Sequence, residues 1–110
     1  VFLLTQSYYA ALIRSGVRIY EYTPGFIHAK GYLSDDQVAV VGTINMDYRS
    51  LYLHFECGVY LYGYDAIMDI KRDFIETFPL CREIGLDYCR KRSVFIRCFQ
   101  CILRLLAPLL

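Results

Sequence analysis

The stretch 28–56 constrains this 110-residue chain most, because it predicts a β-hairpin that gathers polar side chains at one end. His28 and Lys30 are two residues apart, so in a strand both side chains project from the same face. Residues 34–36 predict the turn, and residues 38–41 predict the returning strand. That return carries the next segment back towards the end of the sheet where the hairpin began.

The side chains that this hairpin gathers suit a phosphate ester. They are an imidazole (His28), an ammonium (Lys30), a hydroxyl (Thr43) and a carboxamide (Asn45). Phosphate oxygens accept hydrogen bonds from such donors. A histidine in a strand is also compatible with a purely structural role, so the inference depends on the spacing of the whole set.

The spacing resembles the signature of the phospholipase D superfamily in one ungapped pattern: His28-x-Lys30-x4-Asp35-x6-Gly42-Thr43-x-Asn45. Residues 20–30, 42–56 and 104–110 resemble bacterial cardiolipin synthases in particular. The resemblance implies an α/β fold, a phospholipase D-like half-domain in which a mixed β-sheet is flanked by helices. It covers the final part of such an enzyme, so membrane helices and a first copy of the signature are expected upstream.

The resemblance implies transfer of a phosphatidyl group between two phosphatidylglycerol molecules, giving cardiolipin and glycerol through a phosphohistidine. It implies no metal and no cofactor. By the same resemblance, His28 is the expected acid/base member, and its partner histidine comes from the other signature copy. The residues alone leave open which histidine is the nucleophile. They also leave open a phospholipase D-type hydrolase and a non-catalytic interaction domain.

Four further residues receive expected roles in this site. Lys30 and Asn45 are expected to hold the non-bridging oxygens, with support from Thr43. Glu56 is expected to accept the second ring N–H of His28 and fix its tautomer. The alternative for Glu56 is an exposed strand end.

Other polar residues of the stretch are expected to shape it rather than react. Asp35 belongs to the signature but is expected to fix the hairpin turn. Asp47 and Arg49 are expected to pair and shape the loop after Asn45, with contact to a lipid phosphate as the alternative for Arg49. His54 is expected to be structural.

The remaining pattern predicts an α/β layer. A helix is predicted over 7–15 and a strand over 17–22. Residues 57–62 predict a strand buried on both faces, because they are almost uninterruptedly apolar. A packing helix is predicted over 65–78 and ends at Pro79.

The chain is predicted to be one domain, residues 1–110, ending in a basic amphipathic helix at about 88–107. Apolar side chains cover most of that helix. Either it packs across the domain, or it lies on an anionic bilayer surface. Its narrow polar stripe recurs at steps of three and four residues: Arg90, Ser93, Arg97, Gln100 and Arg104.

Composition limits the partners. The net charge is +1, so no bulk basic field argues for nucleic acid. No run reaches the ~18 apolar residues of a membrane span, so the expected place at the cell membrane depends on upstream helices. The chain begins with valine, which fits part of a longer protein. The expected partners are phosphatidylglycerol, cardiolipin, the membrane surface and either the missing N-terminal half or a homodimer mate.

The five cysteines are expected to be free thiols in a reducing compartment. Cys98 and Cys101 form a C-x-x-C pair, which also admits a zinc or redox interpretation. No second close pair accompanies them. The cysteines are therefore expected to act as small apolar fillers.

Overall fold

The computed structural model describes residues 2–63 and 65–109 and divides the chain into two compact units. The N-C unit runs up to Glu21 and resumes at Glu83, and the central unit is residues 22–82. The elements follow in order: α1 (Phe2–Ser7), α2 (Tyr9–Arg14), β1 (Ile19–Tyr22), β2 (Lys30–Ser34), β3 (Val38–Gly42), β4 (Gly58–Tyr62), α3 (Asp65–Thr77), β5 (Cys81–Ile84), α4 (Leu86–Arg90) and α5 (Val94–Leu105).

These elements confirm the α/β class, but the strands form two small sheets instead of one mixed sheet. One sheet pairs β1 with β5, and the other has the order β2–β3–β4 with antiparallel neighbours. A π-helical turn (Arg49–Leu53) precedes β4, and short 3-10 turns follow α3 and α5 (Phe78–Leu80 and Ala107–Leu109).

The hairpin predicted between β2 and β3 is present. Its register pairs Lys30 with Gly42 at one end and Ser34 with Val38 at the other. Asp35 and Asp36 have φ angles of 54° and 57°, in the left-handed region, and the N–H of Gln37 donates to the Ser34 carbonyl at 3.1 Å within the three-residue connection. Aspartate tolerates this region better than most side chains, so the Asp-Asp pair selects the turn.

The expectation that residues 57–62 are buried on both faces is wrong. Among the strands that the structure describes, β4 is the outer strand of its sheet and pairs only with β3. Val59 is 60% exposed and Tyr60 is 66% exposed. An apolar run indicates that burial of a strand is favourable, but no surface in the described part of this chain packs over β4 and buries it.

Helix α3 supplies the core of the central unit, as its apolar stripe predicts. Ile67 is fully buried at 1% exposure, and so is Ala39 of β3. A Cβ at Gly31 of β2 would lie 3.3 Å from the ring of Phe74, so this glycine lets the helix approach the strand closely. The helix ends at Thr77, just before the predicted proline stop at Pro79.

The helices of the N-C unit are shorter than predicted. The helix expected over 7–15 is present as the shorter α2 (Tyr9–Arg14), and α1 before it was not predicted. The tail helix expected at about 88–107 is two helices, and α5 starts after Ser93, whose hydroxyl accepts the N–H of Ile96 at 3.4 Å. Strand β5 was not predicted.

Gln100 and Arg104 of α5 contact α1, whereas much of the apolar arc of the helix is exposed. Gln100 is 6% exposed and donates to the carbonyl of Leu3 at 3.1 Å. Arg104 donates from Nε to Ser7 Oγ at 3.0 Å. In contrast, Phe95 is 88% exposed and Leu105 is 82% exposed. Within the described residues no helix is both long and apolar enough to cross a membrane.

The cysteines are free, but not all of them fill apolar space. Cys57, Cys98 and Cys101 are exposed, so the filler interpretation is wrong for these three. Cys81 and Cys89 are partly buried. Among the residues that the structure describes, no group of three or more His, Cys, Asp or Glu side chains is arranged to hold a metal ion.

Candidate functional site

His28 and Lys30 lie side by side at the start of the hairpin. His28 stands two residues before β2, and Lys30 is the first residue of that strand. The Lys30 ammonium contacts Nδ1 of His28, lies 3.4 Å from Nε2, and donates to the His28 carbonyl at 2.7 Å. His28 is exposed. An imidazole and a cation are thus presented together on a surface that a phosphoester can reach.

Thr43 lies next to this pair because Gly42 is the register partner of Lys30. Its backbone N–H donates to the Cys57 carbonyl at 2.9 Å, and its hydroxyl accepts the Cys57 N–H at 3.0 Å. The same hydroxyl donates to the carboxylate of Glu56. The residue after β3 is therefore held firmly against the segment that leads into β4.

Gly42 permits this close approach. A Cβ at this position would lie 2.2 Å from the carbonyl oxygen of Cys57 and 2.6 Å from Cα of Gly58. Both are backbone atoms, so no side-chain rotation relieves the clash. The glycine of the signature is required by the β3–β4 pairing at the site.

Glu56 lies beside Thr43 and not beside the ring of His28. The hydrogen bond from Thr43 lowers the pKa of the Glu56 carboxyl, and Ser50 contributes a further hydrogen bond in the same direction. No hydrogen bond joins Glu56 to His28 in the described part of the chain, so the expected ring contact is not formed. The Glu56 carboxylate instead accepts hydrogen bonds from the hydroxyl groups of Thr43 and Ser50.

Asn45 is exposed on the loop after β3, and Tyr32 fixes the start of that loop. The Tyr32 hydroxyl donates to the carbonyl of Ile44 at 2.7 Å, and burial raises the pKa of Tyr32. Tyr32 is two residues after Lys30, so both lie on one face of β2. Sequence reasoning missed this residue, although its period-two spacing was a visible signal.

Asp47 caps the π-helical turn instead of pairing with Arg49. Its side chain accepts the N–H of Ser50 at 2.8 Å, and its carbonyl accepts the N–H of Leu51 at 3.0 Å. The described residues contain no ion pair between Asp47 and Arg49, so that expectation is wrong. A carboxylate three residues before a free N–H satisfies it locally, without a long side chain.

The other two residues of interest lie apart from this cluster or take no part in its hydrogen bonds. Asp35 is in the hairpin turn, at the opposite end of β2 from Lys30, where Ser34 Oγ lies 3.4 Å from its carboxylate. His54 is exposed, and its side chain forms no hydrogen bond within the described residues. The structure therefore brings His28 and Lys30 together, and Thr43 and Glu56 together, and it leaves Asn45 exposed on the loop after β3.

The comparisons with known proteins show the family to which this chain is similar. Residues 2–78 match the family model described as "Cardiolipin synthase, PLD-like domain". The match includes both strands of the hairpin and the whole of the candidate site.

Several bacterial proteins are similar along almost the entire chain. An uncharacterized protein of Streptococcus mutans is 49% identical over 109 residues, which is 99% of this chain and 24% of that protein. A cardiolipin synthase of Geobacillus kaustophilus is 41% identical over 110 residues, which is 100% of this chain and 22% of that protein. Cardiolipin synthase 1 of Bacillus anthracis is 43% identical over 106 residues, which is 96% of this chain and 21% of that protein.

The chain thus spans between a fifth and a quarter of the length of these relatives. No solved structure matches it. The family model covers residues 2–78, well over half of the chain, and these residues include His28, Lys30, Thr43 and Asn45. This chain belongs to the cardiolipin synthase family of phospholipase D-like domains.

Proposed function

We propose that this chain is the C-terminal catalytic half of a cardiolipin synthase. The reaction transfers a phosphatidyl group from one phosphatidylglycerol to another and yields cardiolipin and glycerol. The observation that carries the proposal is the contact between the Lys30 ammonium and the ring of His28 on an exposed surface. The names of the relatives in Geobacillus and Bacillus support the same substrate class.

The first half-reaction forms a covalent intermediate. A ring nitrogen of one histidine attacks the phosphorus of phosphatidylglycerol, and the bond from phosphorus to the glycerol oxygen breaks. A second histidine protonates that oxygen, so glycerol leaves as a neutral alcohol. The phosphatidyl group remains on the first histidine as a phosphoramidate.

The second half-reaction reverses the roles around the same phosphorus. The second histidine removes the proton from a hydroxyl of another phosphatidylglycerol, and the resulting oxygen attacks the phosphohistidine. The P–N bond breaks, and cardiolipin is released. One histidine cannot perform both roles in one half-reaction, so His28 needs a partner from the missing N-terminal half or from a second copy of the chain. We assign His28 the acid/base role.

The neighbouring residues act on the phosphoryl oxygens. Lys30 supplies a positive charge where negative charge grows in the transition state, and Asn45 donates a neutral hydrogen bond to the same oxygens. Thr43 gives its hydroxyl hydrogen to Glu56 and is thereby held at the site. Glu56 therefore acts by positioning Thr43, which replaces its expected role on the imidazole.

The substrates place this chemistry at a bilayer. Phosphatidylglycerol and cardiolipin are insoluble in water, so the reacting groups must reach the membrane surface. The exposed apolar arc of α5 suits contact with lipid, and membrane helices elsewhere in the parent protein are expected to anchor the enzyme.

The decisive experiment replaces His28 with alanine in the full-length parent enzyme and separates the lipid products by thin-layer chromatography. Cardiolipin formation from phosphatidylglycerol is expected to fall by about a thousand-fold or more. His54→Ala is the matched control, because His54 is the second of the two histidines in this chain and is also exposed.

Each outcome has a distinct meaning. Loss of cardiolipin in His28→Ala with retention in His54→Ala supports the proposal. Phosphatidic acid as the main product of the wild type would identify a phospholipase D-type hydrolase instead. Undiminished cardiolipin in His28→Ala would show that this half is an inert domain.

A further inference from the structure

A pocket of about 280 Å³ lies within the N-C unit, among α1, α2, α4 and α5. This volume is near the lower end of the ~300–1,000 Å³ typical of small-molecule sites. None of its lining residues belongs to the candidate active site. Five of them are arginines: Arg14, Arg90, Arg92, Arg97 and Arg104.

The pocket lining contains no carboxylate. Glu21 lies behind it, where its side chain accepts hydrogen bonds from Gln6 and Tyr9 at 3.0 and 3.1 Å. None of the ion pairs found within residues 2–63 and 65–109 includes a lining arginine. Five arginines thus line one small volume whose lining has no carboxylate, so the pocket has an excess of positive charge.

Arg92 shows the imbalance most clearly. Its Nη2 donates to Gln6 and lies 3.3 Å from the Tyr88 hydroxyl, and its guanidinium lies over the Tyr88 ring at 5.2 Å. Its Nη1 is buried and has no hydrogen-bond partner within the described residues. A buried donor without an acceptor is costly, and a bound anion supplies the missing acceptor.

Arg14, Arg90 and Arg97 are available for a ligand. They belong to three different helical segments and form no hydrogen bond or ion pair through their side chains within the described chain. Arginines placed around an anion can each offer two parallel N–H groups to its oxygens.

We propose that this arginine pocket binds a phosphate group carried by a small headgroup, independently of the His28 site. Phosphate fits because it offers several charged acceptor oxygens to converging guanidinium groups. A carboxylate has only two oxygens and satisfies fewer of the five arginines. The phosphate belongs either to an anionic phospholipid headgroup or to a free phosphate ester, and both present the same group to the pocket.

The test uses the 110-residue chain carrying Lys30→Gln, so that the His28 site does not contribute phosphate binding. Isothermal titration calorimetry measures the binding of inorganic phosphate and of glycerol 3-phosphate to this chain. Co-sedimentation measures its binding to vesicles of phosphatidylcholine with or without phosphatidylglycerol. The pocket variant adds Arg14→Gln and Arg97→Gln, which leave the hydrogen bonds of Arg92 and Arg104 intact. The control adds Arg18→Gln and Arg72→Gln instead, which remove the same charge from exposed ion pairs elsewhere.

The pocket variant is expected to bind phosphate probes about ten-fold or more weakly, and the control within about two-fold of the parent. Binding of soluble esters would identify a free phosphate ester, and binding only of phosphatidylglycerol vesicles would identify a lipid headgroup. An equal loss of binding in the pocket variant and the control would show that only the net charge of the chain matters, and it would overturn the proposal. So would an absence of binding to every probe. Circular dichroism verifies that each variant is folded. If the pocket variant is not folded, a variant with glutamine at positions 90 and 97 replaces it.

Discussion

The hydroxyl of Thr43 donates to the carboxylate of Glu56, and this contact links the end of β3 to the segment before β4. It is the largest cause of the lowered pKa of Glu56. A carboxyl whose pKa is lowered by folding stabilises the folded state above its ordinary pKa, and that contribution is lost as the pH falls. The contact therefore makes a pH-dependent prediction.

Thr43→Val removes the hydroxyl at nearly constant shape, so the pKa of Glu56 is expected to rise towards its ordinary value of 4.5. The stability deficit of the variant should be largest above about pH 5 and shrink at lower pH. Carboxyl NMR titration and denaturation at several pH values measure both effects. Glu83 is the internal control, because its pKa is lowered by Arg18 and should not change. An unchanged Glu56 titration would contradict the assignment.

Gly42→Ala tests the close approach of β3 and β4. A methyl group 2.2 Å from the Cys57 carbonyl oxygen must push the two backbones apart, so the variant is expected to lose about 2 kcal/mol or more in the free energy of unfolding. Gly25→Ala is the control, since a Cβ there meets nothing within 4 Å. Urea denaturation measures both. Equal stability of the two variants would show that the pairing is looser than described.

Ile67→Ala tests where the core of the central unit lies. Ile67 is 1% exposed on α3, whereas Ile75 of the same helix is 55% exposed. The first substitution is expected to cost about 2–4 kcal/mol and the second less than about 1 kcal/mol. Denaturation of both variants under the same conditions measures the two losses in the free energy of unfolding. Similar losses would show that the core of the central unit lies elsewhere.

The parts of this fold that follow from the sequence are those fixed by local interactions. The β2–β3 hairpin depends on period-two alternation and on an Asp-Asp turn at positions 35 and 36, and both are visible in neighbouring residues. The position of Lys30 opposite Gly42 then follows from the turn length. Helix α3 likewise follows from its apolar stripe.

The parts that do not follow depend on which surfaces meet. The amphipathic pattern of α5 separates two faces, but it does not say that Gln100 and Arg104 contact α1. The apolar run of β4 does not reveal that the strand lies at a sheet edge. The partner of Glu56 was mispredicted for the same reason, because its side chain had several polar groups within reach.

Tyr32→Phe tests the position of the Asn45 loop. The variant loses the 2.7 Å hydrogen bond to the Ile44 carbonyl, at a cost of about 1 kcal/mol in stability. In the full-length enzyme, kcat is expected to fall about three- to ten-fold with a smaller change in KM, because Asn45 is proposed to act on the transition state. Tyr60→Phe, at a 66% exposed tyrosine, is the control. A fall in stability without any change in kcat would assign Tyr32 a purely structural role.

The need for a second histidine predicts how the isolated chain behaves when copies are mixed. If two chains assemble symmetrically and each supplies His28, cardiolipin forms only in dimers that contain two intact chains. An equal mixture of wild type and His28→Ala should then retain about a quarter of the activity of undiluted wild type at the same total concentration, since random pairing makes about one intact dimer in four. Chains that act alone would retain about half. Sedimentation under the same conditions reports the assembly state, and turnover by a population that is wholly monomeric would contradict the shared site. A chain that neither dimerises nor turns over is the result expected if the partner histidine comes only from the N-terminal half of the parent protein.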